Sequence, residues 1–168
     1  LANSVLLARG HQVGQSLVEM LSPELQQQLN HPKLLLPVDV VVRCASGKRV
    51  VTVSEVSTDE QIVDIGPATI ELFHRQLAMA ELVLWNGPLG LVEETFVAGT
   101  REVLSQLPAT DMAYVVAGGG DSLAFLHHQQ LTDRFSFIST AGGALLDYLA
   151  TDASLPGLTA LALAPKIK

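Results

Sequence analysis

Three short glycine-rich stretches hold the residues whose types and spacing can do chemistry. Gly118-Gly119-Gly120-Asp121-Ser122 sets an acid and a hydroxyl directly behind three glycines. Glycine lets the backbone approach a ligand closely and take positive φ. A helix that begins there points its free N–H groups outward, and together these features hold an anion. Asp121 can hold Mg²⁺, directly or through water, because magnesium usually takes one or two carboxylates plus phosphate oxygens. Spacing alone leaves a second reading open, in which Asp121 or Ser122 only caps the helix. Thr140-Ala141-Gly142-Gly143 is a second nest at a helix start. Taken singly it reads as a tight turn. Two such loops on consecutive units suit a phosphate chain or a phosphoryl group in transfer.

Asn86-Gly87-Pro88-Leu89-Gly90 follows an apolar run ending in Trp85. Asn, Gly and Pro each do turn chemistry there. Glu93 and Glu94 lie just beyond; one can hydrogen-bond a ribose, or both sit near a helix start as acids do. Other chemistries find no support. There is no G-x-x-x-x-G-K-[ST] and no G-x-G-x-x-G. His127 and His128 are adjacent, so on a helix they point apart, which disfavours a shared metal. Ser139 lacks a G-x-S-x-G elbow. Cys44, closing an apolar run, reads as a small core residue.

The elements that must position these loops are legible as a pattern. A helix tail over Leu1 to Arg9 ends at Gly10. Ser22-Pro23 starts a second helix running to about Asn30. Leu34 to Val42 is a Val-rich apolar run, suited to a strand buried on both faces in a parallel sheet. Further strands are expected over Val50 to Val53 and Gln61 to Ile65. Gly66-Pro67 opens a helix over about Ala68 to Ala80. Then come a strand (Leu82 to Trp85), a helix (Thr95 to Leu107), a strand (Met112 to Ala117) and a helix (Asp121 to His128). A strand (Phe135 to Ser139) and a helix to about Ala150 complete the pattern. Strands alternating with helices imply crossovers and a parallel sheet. Ligands in such sheets bind beyond the carboxyl ends of the strands, so the glycine-rich loops should share that edge.

Composition bounds the rest. The 168 residues are 48% hydrophobic and 16% charged, with a net charge of −7. Ample apolar surface argues against disorder. No apolar run has the length of a membrane span. The acidic balance disfavours a broad nucleic-acid surface, which needs clustered cations. Backbone N–H groups can still hold small anions. One cysteine excludes an internal disulfide and a Cys-based zinc site, which suits a reducing cytoplasm.

These loops, in this order, resemble the C-terminal, nucleotide-binding domain of phosphoglycerate kinases. The resemblance rests on the ordered set and runs along essentially the whole chain. It begins with Leu6-Leu7-Ala8-Arg9-Gly10 through Gly14-Gln15-Ser16-Leu17, then Leu35-Leu36-Pro37-Val38-Asp39-Val40-Val41-Val42 and Asp64-Ile65-Gly66-Pro67. It continues through Trp85-Asn86-Gly87-Pro88-Leu89-Gly90, Gly118-Gly119-Gly120-Asp121-Ser122 and Ser139-Thr140-Ala141-Gly142-Gly143-Ala144, and ends at Leu155-Pro156-Gly157.

The resemblance implies a three-layer α/β/α, Rossmann-like domain with a mainly parallel sheet. It implies Mg-ADP or Mg-ATP as ligand and phosphoryl transfer between 1,3-bisphosphoglycerate and ADP in glycolysis. Leu17 and Val63 would flank the adenine and Glu93 would bind the ribose. Asn86 and the backbone near Pro88 would meet the phosphate end. Asp121 would hold Mg²⁺, with Ser122 and the N–H groups of Gly118, Gly119 and Gly120 on the phosphates. Thr140, Gly142 and Gly143 would face the phosphoryl group in flight. A cytoplasmic protein with neither nucleic acid nor membrane as partner is implied.

Two positions depart from the family pattern. Ala141 stands where the family usually has the first of three glycines, and Val92 replaces an aromatic before the ribose Glu. They motivate an alternative, a degenerate non-catalytic nucleotide-binding or interaction module. The family enzyme is about twice this long. Residues 1–168 are therefore expected to be part of its C-terminal domain, without the N-terminal 3-phosphoglycerate domain. Such a fragment should be inactive alone, because catalysis requires both substrates held in line. The full-length enzyme is expected to be a monomer, and the fragment to self-associate through uncovered apolar surface.

Overall fold

The computed structural model describes residues 1–108, 112–151 and 155–163, with the side chain of Asp121 left out. The chain divides into two compact units. Unit 1 comprises Leu1–Met79 and Pro88–Leu107; unit 2 comprises Ala80–Gly87 and Pro108–Lys168.

In unit 1, helix α1 (Ala2–Ala8) buries Ser4, Val5 and Leu6, and Gly10 follows its end at φ +88. A left-handed residue just past a helix is the usual role of glycine there. Helix α2 (Pro23–Gln27) starts at Ser22, whose Oγ accepts the Leu25 N–H at 3.2 Å. It stops short of the expected Asn30. Strands β1 (Asp39–Cys44), β2 (Gly47–Thr52) and β3 (Gln61–Ile65) form a sheet in the order β2-β1-β3, and both pairings are antiparallel. Val40, Val42, Val51 and Ile62 join Leu6, Val13, Val53 and Val56 in its core. Helix α3 (Pro67–Leu77) and helix α4 (Ala98–Ser105) pack on one another, and the His74 ring meets the Glu102 carbonyl at 3.2 Å.

Three expectations need correction here. The Leu34 to Val42 run is strand only from Asp39, and its sheet is antiparallel. The N–H groups of Val38 and Asp39 both donate to Thr69 Oγ1, at 3.0 and 3.1 Å, and Pro37 has no N–H to donate. Helix α4 begins at Ala98 instead of Thr95, because residues 92–94 form a separate 3-10 turn and Thr95 takes φ +69. Cys44 is not a core residue. It pairs with Gly47 at the hairpin end, half-buried, with Sγ 3.1 Å from Ser46 Oγ.

Unit 2 carries the parallel order. Strands β4 (Leu82–Asn86), β5 (Tyr114–Gly118) and β6 (Phe137–Ser139) pair in that order, all parallel. Helix α5 (Gly120–His128) follows β5 and packs against it; helix α6 (Gly143–Ala150) follows β6, and α7 (Pro156–Leu163) comes last. Val83, Trp85, Val115, Ala117 and Leu126 are buried. The opposite face of the same strands leaves Leu82, Leu84, Tyr114 and Phe137 exposed. The α/β, Rossmann-like class therefore holds, with parallel pairing confined to unit 2. Among the described residues, no helix is long and apolar enough to cross a membrane.

Candidate phosphate and nucleoside sites

The carboxyl ends of the three parallel strands lie level. Gly118, the last residue of β5, pairs with Asn86 on one side and Ser139 on the other. The three glycine-rich loops therefore leave the sheet side by side, as the alternation of strands and helices requires. They also pack closely. A Cβ on Gly119 would stand 3.0 Å from Asn86 Oδ1 and 3.8 Å from the Gly142 Cα. One on Gly142 would stand 2.9 Å from the Gly119 Cα. Gly119 takes φ +102 as the N-cap of α5, a conformation that any side chain would strain.

Ser122 ties two of these loops. Its Oγ accepts the Gly87 N–H at 2.9 Å, and the residue is buried to 4% exposure. The hydroxyl is thus engaged with the β4 loop as an acceptor and retains its own proton to donate. Gly119 and Gly142 have no side chain to cap α5 and α6, and no described side chain accepts an N–H from either first turn. Their first-turn N–H groups have no partner within the helix, so each start is suited to an anion. Thr140, Ala141 and Gly143 are exposed. The Ala141 N–H turns to Ser139 Oγ at 3.2 Å.

Magnesium fits the donor set in kind. Asp121 is the second residue of α5, in the turn whose N–H groups would hold the phosphates. Its side chain lies outside the described residues. Among the described ones, no group of three or more His, Cys, Asp or Glu gathers. A magnesium carried mainly by phosphate oxygens needs none.

The residues expected at the nucleoside belong to unit 1. Val63 and Pro88 line one cleft of about 370 Å³, with Asp64, Leu89, Gly90 and Leu91. Val63 is only 1% exposed. Leu17 is not among the cleft's lining and is 76% exposed. It follows Ser16, whose buried Oγ accepts the Ile62 N–H at 2.8 Å. Gly14, at φ +55, lies against the Glu60 carbonyl, which accepts the Gln15 N–H at 2.7 Å. Glu93 is exposed on the 3-10 turn Val92–Glu94. Its neighbour Glu94 pairs with Arg43, which also reaches Gln61 and lies 5.8 Å over the Phe96 ring.

Two buried carboxylates have roles that sequence reasoning missed. Asp39 accepts the N–H groups of Ala68 (3.0 Å) and Thr69 (2.7 Å), so it caps α3 from β1. Asp64 accepts the N–H groups of Ile65 and Gly99, both at 2.9 Å, and that of Ala98. It caps α4 from β3. Burial pushes the Asp64 carboxyl above the usual aspartate range; those three N–H groups pull against the shift, as does the charge of Lys48. The available signal was an acid inside an apolar run, Asp39 between Val38 and Val40 and Asp64 between Val63 and Ile65. An uncompensated carboxylate is not stable in such a place.

Parallel strands that run through glycine loops into uncapped helix starts define an α/β protein of the Rossmann-like class. Comparison with known proteins narrows this. A family model described as phosphoglycerate kinase matches residues 1–152. The phosphoglycerate kinase of Chloroflexus aurantiacus is 41% identical over 174 residues, spanning 96% of this chain and 43% of that protein. The solved phosphoglycerate kinase of Coxiella burnetii is similar with a TM-score of 0.80 and 37% identity, over 94% of this chain and 43% of its own. That of Pyrococcus horikoshii OT3 gives 0.75 and 32%, over 96% and 43%. The chain belongs to the phosphoglycerate kinase family. It spans less than half the length of these relatives.

Proposed function

We propose that residues 1–168 are part of the C-terminal, nucleotide-binding domain of a phosphoglycerate kinase and take the phosphates of Mg-ADP or Mg-ATP. The observation that carries this reading is the level ending of β4, β5 and β6, with two helix starts among the loops they feed that no described side chain caps. Family membership supports the rest of the reading: transfer of a phosphoryl group between the acyl phosphate of 1,3-bisphosphoglycerate and ADP, in a cytoplasmic setting.

Within that reaction the chain's own groups position and stabilise charge, which is most of what phosphoryl transfer asks of a protein. The N–H groups of Gly120, Asp121 and Ser122 hold phosphate oxygens, and Gly118 and Gly119 let the ligand come close. Magnesium, when bound, neutralises charge between the phosphates, and Asp121 holds it. Gly142 and Gly143, with Thr140, face the phosphoryl group in transfer. Asn86 and the backbone at Pro88 meet the phosphate end. Leu17 and Val63 flank the base, and Glu93 takes the ribose. Turnover by this chain alone is not expected, because the acyl-phosphate substrate belongs to the remainder of the family's length.

A titration of the chain with ADP by calorimetry, with and without Mg²⁺, tests the reading. Saturable binding that Mg²⁺ strengthens, and that Asp121→Ala weakens about tenfold or more, supports it. No heat from a folded sample contradicts it. That result favours the second reading, a degenerate module, for which the Ala141 N–H turned inward on Ser139 is the motivating observation. Robust turnover by the isolated chain in a coupled assay would contradict the expected inactivity.

A further inference from the structure

The segment from Pro88 to Gly99 carries Glu93, and it is held along its length by groups that lie outside it. Its Leu89 N–H donates to Thr100 Oγ1 at 2.9 Å, and Thr100 is fully buried. Its Leu91 N–H donates to the Val63 carbonyl at 2.9 Å. The two ends of the segment then close on one carboxylate. Gly99 donates to Asp64 Oδ2, and a Cβ on Gly99 would stand 2.4 Å from Asp64 Oδ1. A Cβ on Gly90 would stand 2.7 Å from the same oxygen and 2.4 Å from the Phe96 carbonyl. Only glycine fits at either end. Asp64 itself is 3% exposed, and both its oxygens already accept backbone N–H groups. Those bonds tie it to the backbone on both sides. Its work is internal.

We propose that Asp64 is a positioning residue for nucleoside recognition: by closing both ends of the Pro88–Gly99 segment it fixes the turn that presents Glu93 to the ribose. The proposal rests on the reading of Glu93 given above. It differs from simple fold maintenance in what it predicts. Loss of the clamp lets the turn wander, so the selectivity for ribose hydroxyls falls before the fold does. Asparagine is the sharp probe. It keeps the shape of Asp64 but sets an amide N–H₂ against a backbone N–H on one of its two sides, because each carboxylate oxygen now faces a donor.

The test compares ADP with 2′,3′-dideoxy-ADP in the presence of Mg²⁺, using the whole 168-residue chain. Wild type is expected to favour ADP about tenfold, the worth of a hydrogen bond to a charged group. Glu93→Gln should lower that preference. Asp64→Asn should lower it as well, and on the Glu93→Gln background should lower it no further, as for two residues acting through one contact. Binding of the dideoxy compound should change little in each case. Amide hydrogen exchange at Gly99 should quicken in Asp64→Asn. Gly90→Ala keeps the carboxylate but pushes the segment off it. It serves if Asp64→Asn fails to fold, and it should erase the preference likewise. A preference for ADP that survives in a folded Asp64→Asn or Gly90→Ala protein overturns the proposal and leaves the Glu93 reading standing. A wild type that binds both compounds equally, or neither, overturns the Glu93 reading and the proposal with it.

Discussion

In unit 1 the amides that open α3 and α4 meet carboxylates, those of Asp39 and Asp64, carried on neighbouring strands. In unit 2 the amides that open α5 and α6 follow Gly119 and Gly142 and meet no capping side chain among the described residues. The local problem is the same in all four places, since the start of a helix leaves N–H groups without intrahelical partners and a positive end of the dipole. Unit 1 answers it internally, with two buried acids that the fold must accommodate. Unit 2 leaves it for something else to answer. Carboxylate and phosphate are chemically alike to an amide, so the closed starts indicate what the open starts would accept.

The comparison can be broken from the unit 1 side first. Asp39→Ala removes the acceptor for two α3 amides, those of Ala68 and Thr69, while the Thr69 hydroxyl keeps the Asp39 backbone carbonyl at 2.7 Å. Thr69 is fully buried, so no water replaces the lost partner. A loss of about 3 kcal/mol in unfolding free energy is expected by urea titration. On the unit 2 side, Gly119→Ala should cost about 2 kcal/mol, because φ +102 is a glycine conformation and Asn86 Oδ1 stands 3.0 Å from the added carbon. It should also abolish saturable Mg-ADP binding at concentrations that saturate wild type. A smaller effect is expected from Ser122→Ala. It leaves the Gly87 N–H without its acceptor and should cost about 1 kcal/mol in the same denaturation experiment.

The smallest effects are in pH dependence, and their signs oppose. The hydrogen bond from Arg49 holds the Glu60 carboxyl below its ordinary value, as does the Ser57 N–H at 3.0 Å. Glu60 therefore contributes stability above its unfolded value, and that contribution is lost as pH falls through the folded value. Asp64 is held above its ordinary value by burial. The folded chain takes up that proton more readily than the unfolded chain, so its contribution is present at low pH and lost as pH rises through the folded value. Urea unfolding between about pH 3 and about pH 6 should show the advantage of wild type over Glu60→Gln growing with pH. Its advantage over Asp64→Asn should shrink.

Much of unit 2 was legible in the sequence because its pattern is local. Apolar runs of strand length, each followed by glycines and then a helical pattern, leave few alternatives. Gln61 to Ile65 was legible for the same reason. The antiparallel pairing of β1 was not, since a Val-rich run buried on both sides reads alike in either kind of sheet. Pro37 gave some warning, but the capture of the Val38 N–H by Thr69, 31 residues away, gave none. The carboxylate caps join residues about as distant, 29 and 30 apart for Asp39 and 35 for Asp64 and Gly99. Such pairs exist only once the chain has folded. Ser122 was legible as a polar residue at a glycine loop, though its tie to Gly87, 35 residues away, was not.

The central claim is that the open helix starts of unit 2 receive the phosphates and the closed starts of unit 1 do not. Backbone amide shifts, followed by NMR during a titration with Mg-ADP, test it most directly. The account predicts saturating shifts at Gly120, Ser122 and Gly143, while Ala68 and Thr69 stay within the background of distant residues. Shifts confined to the unit 1 amides, or saturable binding that leaves Gly120, Ser122 and Gly143 unmoved, would contradict it.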